Sequence, residues 1–243
     1  MVDHYHSFDQ NNLLASLQAS DLEILTPHFE MVKLSLGAVI YEANQQAEYA
    51  YFPISGICSV IAQNADGIQI ETGLIGREGF AGIAIVLYAD SSPSQLIVQA
   101  EGQAFRIAKA DLLAAIGKSQ SLTANLLRYA HTFSVQVAQT ALANGHFTIH
   151  QRLARWLLMW QDRVETQDFA MTHKFLAVML AVRRAGITDA LNYLEGLKAI
   201  RAQRGRIIIL NRNILEDIAK AGYGLPEQEY KRLLTGNTDR NLN

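Results

Sequence analysis

The stretch from Met171 to Leu210, MTHKFLAVMLAVRRAGITDALNYLEGLKAIRAQRGRIIIL, constrains the fold of this chain more than any other segment. Thr172 is a natural N-cap for a helix over His173–Leu180, whose apolar set is Phe175, Leu176, Met179 and Leu180. Ala177 is small where this helix would cross a neighbour. Ala181-Val182-Arg183 leaves room only for a tight turn before a second helix, from Arg184 to about Leu197. Ile187, Leu191 and Leu194 fall on one side of that helix. Ala185, Thr188, Asp189 and Asn192 fall on the other, with Arg184 at the N-terminal edge. Ile200–Ala202 and Arg206–Leu210 then flank Gln203-Arg204-Gly205, where Gly205 is free to take the positive φ of a hairpin turn.

The charge distribution singles out the same region. The net charge of −2 hides a split: residues 1–146 carry 6 Lys+Arg against 13 Asp+Glu, and residues 147–213 carry 11 against 5. A basic block joined to an acidic one suggests that one end meets a polyanion. With 243 residues, 49% hydrophobic and 18% charged, the chain is long enough for two globular domains. The opening MVDHYHSFDQNN has neither a basic n-region nor an apolar h-region, and the apolar runs are too short to span a bilayer. A cytoplasmic protein with no membrane partner is therefore expected. Cys58 is the only cysteine, so a disulfide framework and a cysteine metal site are not expected within one chain. Its neighbours, GICSVIA, alternate like a strand and favour a buried structural thiol.

The N-terminal half reads as two short helices, Leu13–Leu17 and Leu22–Phe29, the second with Ser20 as N-cap. Seven short strands follow: Met31–Leu34, Val39–Glu42, Ala50–Ile54, Ile57–Gln63, Ile68–Leu74, Gln95–Glu101 and Gln103–Ile107. Glycine turns separate them, and Asp66-Gly67 is the clearest hairpin signal, so an antiparallel sandwich or barrel is predicted. Around Asp111 the period changes to that of a helix. Leu122–Ala143 reads as one long helix ended by Asn144-Gly145, with the stripe Leu126, Ala130, Phe133, Val137 and Ala141. Such a stripe either packs on its own barrel or pairs with a second copy of itself; pairing is favoured because a helix-turn-helix gains from two-fold symmetry. A further helix is expected from Thr148 to Val164, with Leu153, Trp156, Leu157 and Trp160 on one face.

Two short helices joined by a tight turn and followed by a basic hairpin make a winged helix-turn-helix. The polar set lies in the first half of the second helix, the end that enters the major groove in such motifs. Arg184 can donate a bidentate pair to guanine, and Asn192 can pair with adenine. An ordinary helical hairpin with a wet outer face would look similar. The hairpin decides between them, because Arg201, Arg204 and Arg206 crowd its tip, where guanidinium groups suit phosphate. Base reading is thus expected from Arg184, Ala185, Thr188, Asp189 and Asn192. Backbone contacts are expected from Thr172, His173, Lys174, Arg183, Arg201, Arg204 and Arg206.

The order of elements, from about Leu13 to Ile214, resembles the Crp/Fnr family of transcription regulators. The residues that carry the resemblance are Gln151-Arg152-Leu153-Ala154 with Trp156-Leu157-Leu158, Val182–Glu195 with Leu197, and the turn Gly76-Arg77-Glu78-Gly79-Phe80-Ala81-Gly82. The resemblance implies an α+β chain in three parts: an antiparallel, jelly-roll-like β-roll sensor domain over residues 1–117, a long dimerisation helix over 118–146, and a winged helix-turn-helix domain with a helical tail over 147–243. It implies a homodimer on a two-fold symmetric double-stranded DNA site, and it leaves RNA polymerase and an unidentified small-molecule effector as open partners. Members that bind cyclic AMP carry a Gly-Glu pair and an Arg-Ser or Arg-Thr pair. Here those positions are Gly82-Ile83 and Ser94-Gln95, so the cyclic phosphate loses its arginine and control by cyclic AMP is not expected. Candidates for an effector pocket are Gly79, Gly82, Ile83, Ser94 and Gln95. The family's usual reading set Arg-Glu…Arg becomes Arg184-Ala185…Asp189, and its turn glycine becomes Ala181.

No cofactor or metal is called for, since the scattered histidines, including His146 and His150, fit surface positions better than ligand positions. An enzyme is not expected either, because no phosphate loop, nucleophile elbow or common metal-ligand spacing occurs. The acidic residues Glu71 and Glu78 read as strand-edge and loop charges. The competing function is a ligand-binding or protein-interaction module whose winged helix no longer binds DNA specifically, a reading motivated by Asp189 on the outer helix face.

Overall fold

A computed structural model describes residues 8–89, 91–164 and 166–235. Two short helices, α1 (Asn12–Ala15) and α2 (Ala19–Leu25), lead through a 3-10 turn at Thr26–His28 into the strands. These are β1 (Glu30–Leu34), β2 (Val39–Tyr41), β3 (Tyr49–Pro53), β4 (Ile57–Gln63), β5 (Gln69–Ile75), β6 (Gln95–Ala100) and β7 (Gly102–Ala108), with a helical turn α3 (Ile83–Val86) between β5 and β6. All seven expected strands are present. They form two antiparallel sheets, β1-β7-β3 and β2-β6-β4-β5, which together make the roll. Asp66-Gly67 closes the β4–β5 hairpin with Gly67 at φ +78°, and Gln63 pairs with Gln69. Cys58 is fully buried in the roll, where desolvation pushes its thiol up to about 12. Ser20 is not the expected cap: α2 begins one residue earlier, and Gln18 holds the N-cap position without a side-chain bond.

Helix α4 (Lys109–Lys118) turns into α5 (Gln120–His146), which Ser119 caps and anchors by donating to buried Asp21 at 2.5 Å. Asn144-Gly145 does not end α5, since Gly is tolerated inside a helix at a cost of about 1 kcal/mol relative to Ala. The helix lies close on the roll because β5 and the turn after it present glycines. A Cβ on Gly73 would come within 2.8 Å of the Phe133 ring, and one on Gly79 within 1.9 Å of the Tyr129 ring. The Gln136 amide completes the seat by accepting from Leu74 N–H at 2.7 Å and donating to Leu74 C=O at 3.2 Å.

Helix α6 (Ile149–Gln161) follows, capped by Thr148 in a capping box with Gln151. Then come β8 (Asp168–Ala170), α7 (His173–Met179), α8 (Arg184–Gly196), β9 (Ile200–Gln203), β10 (Arg206–Ile209), α9 (Arg212–Ala219) and α10 (Leu225–Tyr230), with a final turn at Lys231–Thr235. One core joins this half to the roll: Ile57, Ile61 and Leu74 pack in the same cluster as Leu153, Trp156, Leu157, Leu191 and Ile207. The tail does not stay with the winged domain. Leu234 belongs to the core cluster of the N-terminal half, and Tyr230 and Leu233 pack on it.

Glu71 lies on the edge strand β5 and Glu78 in the turn after it, as expected, but neither is a free surface charge. Glu71 is 4% exposed and joins the two halves, accepting from Ser59 Oγ at 2.5 Å and from Trp156 Nε1 at 2.6 Å. Glu78 pairs with buried Arg163 at 2.8 Å. Their partners Trp156 and Arg163 each lie 85 residues away in sequence, beyond the reach of any local pattern.

Candidate nucleic-acid interface

Thr172 caps α7 by accepting from Phe175 N–H at 3.2 Å, so its hydroxyl is committed within the motif. The turn into α8 places Ala181 at φ +48°, a conformation that glycine adopts more readily. Helix α8 buries Ile187, Ala190, Leu191 and Leu194 against α6 and α7. Its other face is open: Arg184, Ala185, Asp189 and Asn192 are all exposed. Thr188 is half-buried at the flank, bonded to Arg184 C=O at 3.3 Å and to His173 Nδ1 at 3.1 Å. His173 therefore locks the start of α7 to the middle of α8, and only its other ring nitrogen is free for an outside partner.

Tyr193, 46% exposed and packed at a tilt against His150 with 4.3 Å between ring centroids, also stands on the open face. Sequence reasoning passed over it, although the spacing 185–189–193 signals the same face. Gly196 continues that face and keeps it low.

The basic rim divides in two. Lys174, Arg183, Arg184, Arg201 and Arg204 are exposed and have no ion-pair partner among the described residues. Arg206 differs from the expectation of a free phosphate contact, because Asp168 holds its guanidinium bidentately at 2.5 and 3.0 Å. Asp168 stands on β8, an unanticipated third strand of the wing sheet β8-β10-β9, where Ile208 pairs with Asp168. Three residues without alternation give no strand signal, so only pairing with β10 reveals it. Gly205, at φ +73°, forms the wing tip. Arg183 sits at the N-cap of α8 and offers no side-chain acceptor, so the Arg184 and Ala185 N–H groups stay open to an anion, while Gly186 N–H bonds Arg183 C=O at 3.0 Å.

The expected dimer stripe is split by the roll. Leu126 is completely buried in the N-terminal core and Phe133 packs against Gly73, so both face their own domain. Ala130 and Val137 are half-buried, and Ala141 is exposed. The open face of α5 runs instead through Leu127, Ser134, Ala138, Ala141 and Leu142. Helix α5 carries one formal charge, Arg128, in its 27 residues, an unusual surface for water alone.

The effector candidates each have neighbours of their own among the described residues. Gly79 is covered by Tyr129, Gly82 packs on Ala50 and Phe80, and Ile83 opens α3. Gln95 donates to Glu42 at 2.7 Å, and Ser94 N–H bonds Ser92. Inside the roll, the Tyr41 hydroxyl donates to Tyr49 C=O at 2.5 Å and lies 3.1 Å from Ala81 C=O.

A helix whose outer face is left open beside five unpaired cations has the charge and shape that suit double-stranded DNA. Comparison with known proteins points the same way. Residues 31–119 match the cyclic nucleotide-binding domain and residues 151–218 the Crp-like helix-turn-helix domain, which together cover more than half of the chain. A transcriptional regulator of the Crp/Fnr family from Eubacterium rectale shares the fold with a TM-score of 0.68 at 16% identity, over 87% of this chain and 99% of that one. FixK2 from Bradyrhizobium japonicum matches with a TM-score of 0.69 at 17% identity, over 79% and 98%. The c-di-GMP-responsive regulator CLP from Xanthomonas campestris matches with a TM-score of 0.64 at 17% identity, over 79% and 99%. No curated protein matches by sequence. The chain belongs to the Crp/Fnr family of transcription regulators. Among the described residues, no helix is long and apolar enough to cross a membrane.

Proposed function

We propose that this regulator binds a two-fold symmetric DNA site as a homodimer and reads sequence through α8. The observation that carries the reading is the open face of α8, lined by Arg184, Ala185, Asp189 and Asn192 and flanked by the unpaired Lys174, Arg183, Arg201 and Arg204. Arg184 suits guanine, Asn192 adenine, and Asp189 the amino group of cytosine. Ala185 keeps the helix close to the groove floor. Thr188, held by His173, positions Arg184 and Asn192 more than it reads. Arg206 orders the wing through Asp168, and Arg204 at the tip makes the phosphate contact.

Pairing of two copies follows from α5. The uncharged line from Leu127 to Leu142 suits a second copy of the same helix, and two-fold symmetry places two recognition helices about one DNA turn apart. Control by cyclic AMP is not part of the reading. Support comes from Ile83 and Ser94, which stand where cyclic AMP binders carry the ribose-holding Glu and the phosphate-holding Arg, and from the Tyr41 phenol inside the roll. Arg184→Ala tests the reading in mobility shifts on genomic fragments: specific affinity falls by about 1–3 kcal/mol and preference relaxes at one base position. An Arg184→Ala protein with wild-type preference at every position would refute it, and loss of all DNA affinity in the wild type at low salt would favour an interaction module instead.

A further inference from the structure

After α9 the chain folds back from the winged domain onto α5. Gly224 N–H bonds Glu227 at 3.0 Å to start α10, and Glu229 meets His131 of α5 at 3.2 Å. Between this strap, α5, the end of α6 and the turn carrying Glu78 lies an open cleft of about 270 Å³. That is close to the lower end of small-molecule pockets, about 300 Å³. It is separate from the interior of the roll and from Ser94 and Gln95.

Two features of the cleft ask for a ligand. First, its walls include the rings of Tyr129, Tyr223 and Tyr230, a lining that favours a cation over an anion. Second, the charge does not balance. Arg163 is the one cation in the wall, and it is committed to Glu78 at 2.8 Å and to Met159 C=O at 2.6 Å. Asp162 is committed to Arg212 at 2.9 Å and to the Tyr223 hydroxyl at 2.6 Å. Glu227 has no cation within ion-pair distance among the described residues. Its desolvation raises the cost of keeping the charge, and the guanidiniums of Arg163 and Arg155 offset this only in part.

We infer that this cleft is a binding site for a small organic cation bearing N–H donors, an ammonium or a guanidinium on a compact carbon body. The N–H groups reach the Glu227 carboxylate, and the tyrosine faces favour positive charge. An anionic effector meets three carboxylates and a guanidinium already spent. The site touches α5, α6 and the strap together, so an occupant biases how the winged domain sits on the helix.

Calorimetric titration of the full chain tests the inference without DNA, so its outcome is independent of the DNA reading. The probes are phenethylamine and agmatine, with 2-phenylethanol and phenylacetate as neutral and anionic controls. At least one cation binds with one site per chain, and both controls fail to bind at the same concentration. Glu227→Gln, which keeps a capping side chain, weakens that binding about tenfold. Tyr230→Leu, which removes the ring face, weakens it several-fold. No saturable binding of either cation, equal binding of a control, or affinity unchanged in both variants would overturn the proposal.

Discussion

Replacing Glu71 with Gln should remove a block of pH-dependent stability from the joint between the two halves. Glu71 is 4% exposed on β5, and burial raises its carboxyl from the ordinary 4.5 to about 7. Hydrogen bonds from Ser59 and Trp156 and the charges of Arg155 and Arg163 oppose the shift without cancelling it. The folded chain therefore holds this proton more firmly than the unfolded chain does. Below about pH 4.5 both states are protonated and the contribution is complete. Between about pH 4.5 and 7 it declines by about 1.4 kcal/mol per pH unit, reaching a total loss of roughly 3 kcal/mol above that window.

The amide of the Glu71→Gln variant carries no charge, its oxygen can still accept from Trp156, and the rotatable Ser59 hydroxyl can accept from its NH2 group. Urea unfolding followed by the fluorescence of Trp156 and Trp160, the chain's two tryptophans, reads this joint directly. Wild type and Glu71→Gln should differ little near pH 5, and the variant should be more stable by roughly 2–3 kcal/mol near pH 8. A stability difference that stays constant between those pH values would refute the argument that Glu71 is buried at a cost.

Ala181→Gly relieves the positive φ in the turn and should raise the melting temperature by about 2–4 °C, corresponding to about 1 kcal/mol; unchanged or lower melting would show that the turn is not strained. Arg204→Ala at the wing tip should weaken binding to all DNA sequences alike and lower the slope of log affinity against log salt by about 1, measured by fluorescence anisotropy. Arg206→Ala should instead loosen the wing, because its partner is Asp168 and not solvent. Ala138→Glu puts a charge on the open, uncharged face of α5 and should convert a dimer to a monomer in sedimentation experiments; a dimer that persists places the contact elsewhere.

Local chemistry made much of this molecule legible. Thr172 caps the helix it was expected to cap, and the strands begin and end within one or two residues of their apolar alternation. The hairpin at Asp66-Gly67 follows from turn chemistry alone, whereas the positive φ at Ala181 matches what the family resemblance implied for that turn. The open face of α8 follows from a 3.6-residue period. Tyr193 lies beyond the polar first half of the helix that carries the groove signal. Periodicity finds the apolar stripe without saying what covers it, and of its two possible covers Leu126 takes its own roll.

Periodicity, capping and charge therefore determined which elements form, their order, and which segment carries the basic rim, since each depends on residues within a turn or two of one another. Only the tertiary structure decided where each face goes. Pairing with β10 made a strand of Asp168–Ala170, which in turn took Arg206 out of the free basic set. The fold-back of residues 225–235 onto α5 made a cleft from residues as far apart as Glu78 and Tyr230. The burial of Glu71 against Trp156 turned an apparent strand-edge charge into the joint between sensor and DNA-binding halves. Such contacts depend on which surfaces meet in space, and spacing along the chain carries no record of it.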